Sequence, residues 1–156
     1  MLKRINPASI MTPASPYSHG IELPPGTRIL YCAGQVGTTK DGTTPSDLVQ
    51  QNEIAWANIR AILNDAGMDL KDIVRMNAYL TSREGIEPFR AVRNRMVGKV
   101  KPASTLVLVA GLAGPQWHVE IEVVAAQASR AAAKPAAAKK PARKAPAKKS
   151  AKKKKR

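Results

Sequence analysis

A single cysteine, Cys32, excludes a disulfide framework within this chain of 156 residues and leaves no cysteine cluster for zinc. No apolar run reaches 18 residues, so no membrane-spanning segment is expected. The opening Met1-Leu2-Lys3-Arg4-Ile5-Asn6-Pro7 has no apolar secretory core. A soluble, cytoplasmic protein is the expectation. Acidic residues are missing from one region. Residues 131–156 hold 12 of the 26 Lys+Arg and none of the 11 Asp+Glu. The first 130 residues, with 14 basic and 11 acidic side chains, carry only +3 of the net +15. The excess charge therefore belongs to the end of the chain, which excludes reading the whole protein as a basic nucleic-acid-binding domain.

Two parts follow. Residues 1–128 carry hydrophobic periodicity and turn signals and are long enough to fold alone. Residues 129–156 are almost entirely Ala, Lys, Pro and Arg, with Pro135, Pro141 and Pro146 interrupting any helix. Their lysines repel one another and no large apolar side chain is present, so this composition is expected to be disordered.

In the body, Arg28 to Ala33 reads as a strand after the Pro24-Pro25-Gly26 turn, with Tyr17 to Leu23 as its expected partner. Gly34, Gly37 and Asp41-Gly42 mark a loop. Ser46 is placed to cap a helix, with Asp47 in its first turn. Ile54, Ala55, Ile59, Ile62, Leu63 and Ala66 recur at helical spacing, and Gly67 stops the helix. Ile73 to Leu80 alternates as a strand. Ile86, Phe89, Val92 and Met96 form a second helical stripe, with Pro88 in its first turn. Ser104 to Val109 and His118 to Ala126 read as two further strands. This order suggests an α+β two-layer domain with both helices on one face of a mixed sheet, the other face being covered by another subunit.

Several segments then resemble one family. They are Ser15-Pro16-Tyr17-Ser18-His19-Gly20; Tyr31-Cys32-Ala33-Gly34-Gln35-Val36-Gly37; Gln51 with Asn58, Leu63 and Ala66-Gly67; Asp72-Ile73-Val74; Phe89-Arg90-Ala91-Val92; Lys101-Pro102-Ala103-Ser104-Thr105; and Val119-Glu120-Ile121-Glu122. Over residues 10–128 the order and spacing resemble the reactive intermediate deaminase (RidA/YjgF) family. The resemblance implies a chorismate-mutase-like fold and a homotrimer whose sheets pack inward as a barrel. It also implies small-ligand clefts between neighbouring subunits and hydrolysis of enamines and imines to 2-oxoacids and ammonia, without metal or cofactor.

The resemblance places Glu120 at the catalytic carboxylate and Tyr17, Ala33, Gly34, Arg93 and Ser104 at substrate-binding positions. Such chemistry needs a cation for the substrate carboxylate, which a guanidinium fork matches with two hydrogen bonds, and a carboxyl group to handle water and protons. Three positions depart from the family pattern. Ser104 stands where the pattern has the carboxylate-binding arginine, Ala33 where it has serine, and Arg93 where it has asparagine. Losing a bidentate clamp lowers carboxylate binding by roughly ten- to a thousand-fold. Either the ligand is not a carboxylate or another cation replaces the clamp, and Arg93 is the candidate. The plain alternative for Arg93 is a charge on the helix surface.

Other residues carry plainer readings. Glu120 and Glu122 share a strand face that solvent alone would explain. Cys32 reads as a small buried apolar residue rather than a nucleophile. His19 and His118 make no metal signature. Ser104 sits in no nucleophile elbow. Gly34 and Gly37 lack a following Gly-Lys-Ser/Thr and are read as turn residues with positive φ rather than a phosphate loop. Trp56 and Trp117 are expected in the core and at the rim, with Trp117 near a cleft mouth. No ribonuclease constellation is visible, although family members have been linked to RNA cleavage.

The tail presents Lys139, Lys140, Arg143, Lys144, Lys148, Lys149, Lys152, Lys153, Lys154, Lys155 and Arg156. Its composition resembles the basic arms of linker histones. Such an arm condenses on DNA, RNA or another polyanion by releasing counterions, without reading sequence. A nucleoid-associated protein and a merely solubilising tail are both open. So is a trimer that binds a small ligand without turning it over.

Overall fold

The computed structural model describes residues 2–128. In chain order the elements are β1 (Lys3–Ile5), β2 (Gly20–Glu22), β3 (Thr27–Val36), α1 (Leu48–Asp65), β4 (Ile73–Leu80), α2 (Ile86–Val97), β5 (Ala103–Leu108) and β6 (Val119–Ala128). A 3-10 turn, Leu70–Asp72, leads into β4. β1 and β2 form a small antiparallel ribbon, and the main sheet runs β3-β6-β4-β5. β4 and β5 are parallel, with α2 as the crossover that a parallel pair requires. β6 is antiparallel to both its neighbours. The fold is α+β, with both helices on one face of a mixed sheet.

α1 begins at Asp47, not Ser46, as N-cap. The Asp47 carboxylate accepts from the Gln50 amide at 2.8 Å, and its charge also favours the positive helix end. The helix ends as the sequence predicts. Gly67 has φ +67°, its amide reaches the Asn64 carbonyl, and the Met68 amide reaches that of Leu63. Leu63 and Met68 both join the core. The buried stripe of α1 is Ala55, Trp56, Ile59 and Leu63, and that of α2 is Phe89, Val92 and Val97. They close on Met76, Ala78 and Leu80 of β4 and on Val119, Ile121, Val123 and Ala125 of β6. Period-two alternation gives those strands one apolar face, so the register is fixed by burial.

One expected pairing is wrong. Residues 17–23 do not partner β3. Only Gly20–Glu22 is extended, and it pairs with β1, a strand absent from the sequence reading. β3 pairs with β6 instead. Proline has no amide for a ladder, so Pro24 and Pro25 cut the run that would make a hairpin partner, while β6 offers β3 an apolar face.

The opposite face of the sheet has no layer over it. Tyr31 is 76% exposed, Ile29 43% and Val107 40%. Strands β3 and β5 are free edges, so the sheet of one chain is open rather than a closed barrel. Among the described residues no helix is long and apolar enough to cross a membrane.

Candidate functional site

Alternation along β6 sends Val119, Ile121 and Val123 into the core and Glu120 and Glu122 to the uncovered face. Glu120 pairs across the ladder with Tyr79, and Glu122 with Asn77. The two carboxylates then differ. Glu122 accepts from the Tyr79 hydroxyl at 3.2 Å and from the Asn77 amide, so it is held in a network. That network was absent from the sequence reading, although the alternation of β4 places Asn77 and Tyr79 on this face. The Glu120 carboxylate makes no hydrogen bond with any described residue.

The reason lies in β3. Between Cys32, opposite Val123, and Gln35, opposite Ile121, two residues face Glu122 alone. Ala33 and Gly34 therefore form a β-bulge. The Glu120 side chain lies directly over Gly34. A Cβ there would overlap Oε1 and stand 2.7 Å from Cδ. The expected positive φ at Gly34 and Gly37 is not found; the glycines with positive φ are Gly26, Gly42 and Gly67. Gly34 makes room for Glu120, and Gly37 makes room for Gln51, whose Cγ would lie 2.6 Å from an added Cβ. Buried Gln51 in turn donates to the Pro45 and Gln116 carbonyls and accepts from the His118 amide, fixing the start of β6 two residues before Glu120. Trp117 is tied down nearby, donating to Thr38 Oγ1 at 2.9 Å, and Trp56 is core.

Ala33 also lines a shallow depression of about 380 Å³ on the uncovered face, with Tyr31, Arg75, Asn77 and Glu122. Cys32 borders it but is buried, and burial pushes its thiol pKa up, which disfavours the thiolate.

Tyr17, Ser104 and Arg93 form a second group. Ser18 bridges to Ala103 in parallel, its amide donating to the Pro102 carbonyl at 3.0 Å and its hydroxyl to the Lys101 carbonyl at 2.8 Å. This lays Tyr17 along the outer edge of β5, where it lines a depression of about 390 Å³ with Thr12, Ser15 and Lys101. The Tyr17 ring meets that of His19 edge to face at 5.5 Å. Ser104 is in register with Met76, and so points toward the helices. Arg93 is a correction to the surface-charge alternative: it is 5% exposed, on the buried face of α2. Burial holds its pKa below the usual guanidinium range, and the charge of Arg90 lowers it further.

The two groups do not meet within one chain. Glu120 and Ser104 lie on opposite faces of the sheet. They are separated by two strand spacings across and three residues along, roughly 14 Å in ladder dimensions. Glu120, Ala33 and Gly34 converge on one half, Tyr17 and Ser104 on the other. No three His, Cys, Asp or Glu gather into a metal-holding group among the described residues. The tail cations Lys139 to Arg156 lie outside the described residues.

Comparison with known proteins agrees with this architecture. The family model described as endoribonuclease L-PSP matches residues 8–127. A RutC family protein of Escherichia coli K12, YjgH, is 35% identical over 99 residues, covering 62% of this chain and 74% of its own. TdcF of the same organism, named as a proposed reactive intermediate deaminase, is 25% identical over 118 residues, covering 73% and 88%. A solved structure of a Yersinia pestis protein of unknown function in the conserved Rid family, YyfB, superposes with a TM-score of 0.72 at 30% identity. That match covers 81% of this chain and 98% of the other. With its sheet order, its helix layer and 120 of its residues matched, this chain belongs to the Rid/YjgF family, whose matching model carries the description endoribonuclease L-PSP.

Proposed function

We propose that this protein hydrolyses the C=N bond of a small enamine or imine in a cleft assembled between copies of the chain, as a homotrimer. The observation that carries this reading is the unpartnered Glu120 carboxylate lying over the side-chain-free Gly34 at the β3 bulge. A carboxylate with no competing hydrogen bond is free to take a proton from water as the oxygen adds to the imine carbon. The protonated Glu120 then returns that proton to the amine nitrogen of the carbinolamine. The C–N bond breaks, and a carbonyl product and ammonia leave.

The separation of the two residue groups supports a shared cleft. One copy supplies Glu120, Ala33 and Gly34, and a neighbour supplies Tyr17, Ser104 and Arg93. The uncovered face with Ile29 and Tyr31 supplies apolar area for such an assembly. The name of TdcF supports the reaction class. The test is ammonia release. Purified protein mixed with a freshly generated 2-imino acid should release ammonia faster than buffer, and the Glu120→Gln variant should not. Binding of a small ligand with no turnover by the parent protein would instead make this a ligand-binding trimer.

A second reading concerns the tail alone. Twelve cations without an acid, attached to a body of +3, favour binding to DNA or RNA through phosphates, independent of sequence.

A further inference from the structure

Arg93 is a cation buried without an anion. Among the described residues, ion pairs join Lys3 to Glu22, Arg90 to Glu87 and Arg95 to Glu53, and Arg93 is in none of them. It occupies the stripe position between Phe89 and Val97, where an apolar side chain would continue the core at lower cost. The neighbouring Arg90 adds like charge, and Glu87 is already committed to Arg90. A guanidinium in such a place requires a counter-charge from outside the chain.

The geometry shows which edge is free. Nε and Nη2 both donate to Asn94 Oδ1, at 3.1 and 2.7 Å. Nη1 donates to no described residue. It is also not one of the sealed unpartnered atoms, which are Asn52 Oδ1, Trp56 Nε1 and Asn77 Oδ1. Asn94 itself is exposed, so the guanidinium reaches the rim of the helix–sheet layer rather than its centre. The edge carrying Nη1 matches two carboxylate oxygens in parallel. Ser104, pointing into the same layer from β5, can add one neutral hydrogen bond.

We propose that Arg93 holds the carboxylate of the ligand, that Asn94 is the positioning residue that aims the guanidinium, and that the substrates are therefore 2-imino acids rather than neutral imines. This rests on the cleft reading above and names its substrate class.

The experiment titrates full-length protein with 2-oxobutanoate and with its primary amide by calorimetry, and records the oligomeric state of every variant. The parent should bind the acid at least about tenfold more tightly than the amide, and Arg93→Gln should erase that preference, a loss of about ten- to several-hundredfold. Arg93→Lys should keep part of it, because the charge stays and the fork is lost. Asn94→Ala should weaken acid binding while leaving amide binding unchanged. The double variant Arg93→Asn with Ser104→Arg should restore acid binding by returning the cation to the layer from β5. An acid bound no more tightly than the amide by the parent overturns the proposal. So does an Arg93→Gln protein that keeps the preference, or one that loses only its assembly while its affinity for the acid stays. Should Arg93→Gln not fold, the parent's acid-to-amide ratio and the Arg93→Lys titration decide. Failure of the hydrolytic reading is seen separately: no ammonia is released, yet acid binding still depends on Arg93.

Discussion

Replacing Gly34 with alanine should silence hydrolysis as completely as replacing Glu120 with glutamine. The added methyl would occupy the space of Oε1 and stand 2.7 Å from Cδ and 3.0 Å from Cγ of Glu120. Those atoms are the far end of a flexible side chain, so the carboxylate can swing away at little cost to the fold. Gly34 is not in the left-handed region, so alanine meets no backbone penalty. The chemistry has no such freedom. A general base displaced from the water it activates forfeits its contribution, about 10²–10⁴-fold in rate. The expected result is therefore a protein with a near-parental thermal midpoint and ammonia release reduced by about that factor. Steady-state ammonia production and a thermal unfolding curve read the two quantities. A Gly34→Ala variant that folds and works at the parental rate would remove Glu120 from the reaction.

Truncation after residue 130 should remove nearly all affinity for DNA at low salt while leaving ammonia release untouched. The body that remains has 14 basic and 11 acidic residues and no strong field for phosphates. Each phosphate neutralised by a tail cation releases counterions, so a chain engaging six to ten phosphates loses about 10³–10⁵ in affinity between 50 and 200 mM salt. A trimer would present three tails, and their linkage raises retention further. The tail holds no aromatic residue for stacking on bases, so random and defined duplexes should bind alike. Fluorescence anisotropy across a salt series checks both points. Equal binding by the truncated and full-length proteins at 50 mM salt would assign the tail to solubility alone.

The parts of this molecule legible in the sequence are those fixed locally. The stripe of α1, the alternation of β4 and the glycine stop at Gly67 all stand where periodicity and capping put them. The parts that escaped depend on distant register. The pairing of β3 with β6 rather than with residues 17–23 joins strands from opposite ends of the body. Gly34 looks like a turn residue when only its neighbours are considered, and its true constraint, the Glu120 side chain, is folded onto it from β6. Arg93 left a local trace: Phe89, Arg93 and Val97 are each four residues apart and share one helical face. A charge on that face reads as surface by composition and as buried by spacing, and here spacing prevails. Asp47 displaced Ser46 as the cap for a similar reason, since a full carboxylate also answers the helix dipole where a hydroxyl does not.

The division of the catalytic set across two sides of one sheet has a genetic consequence. A chain lacking Glu120 and a chain lacking Arg93 carry different halves of the same defect. Mixed in one ring, a subunit of the first kind can lend its guanidinium to the carboxylate of the second. In a random three-membered assembly of equal amounts, about a quarter of the junctions would then be whole. Two inert parents, co-expressed, should yield an offspring that works.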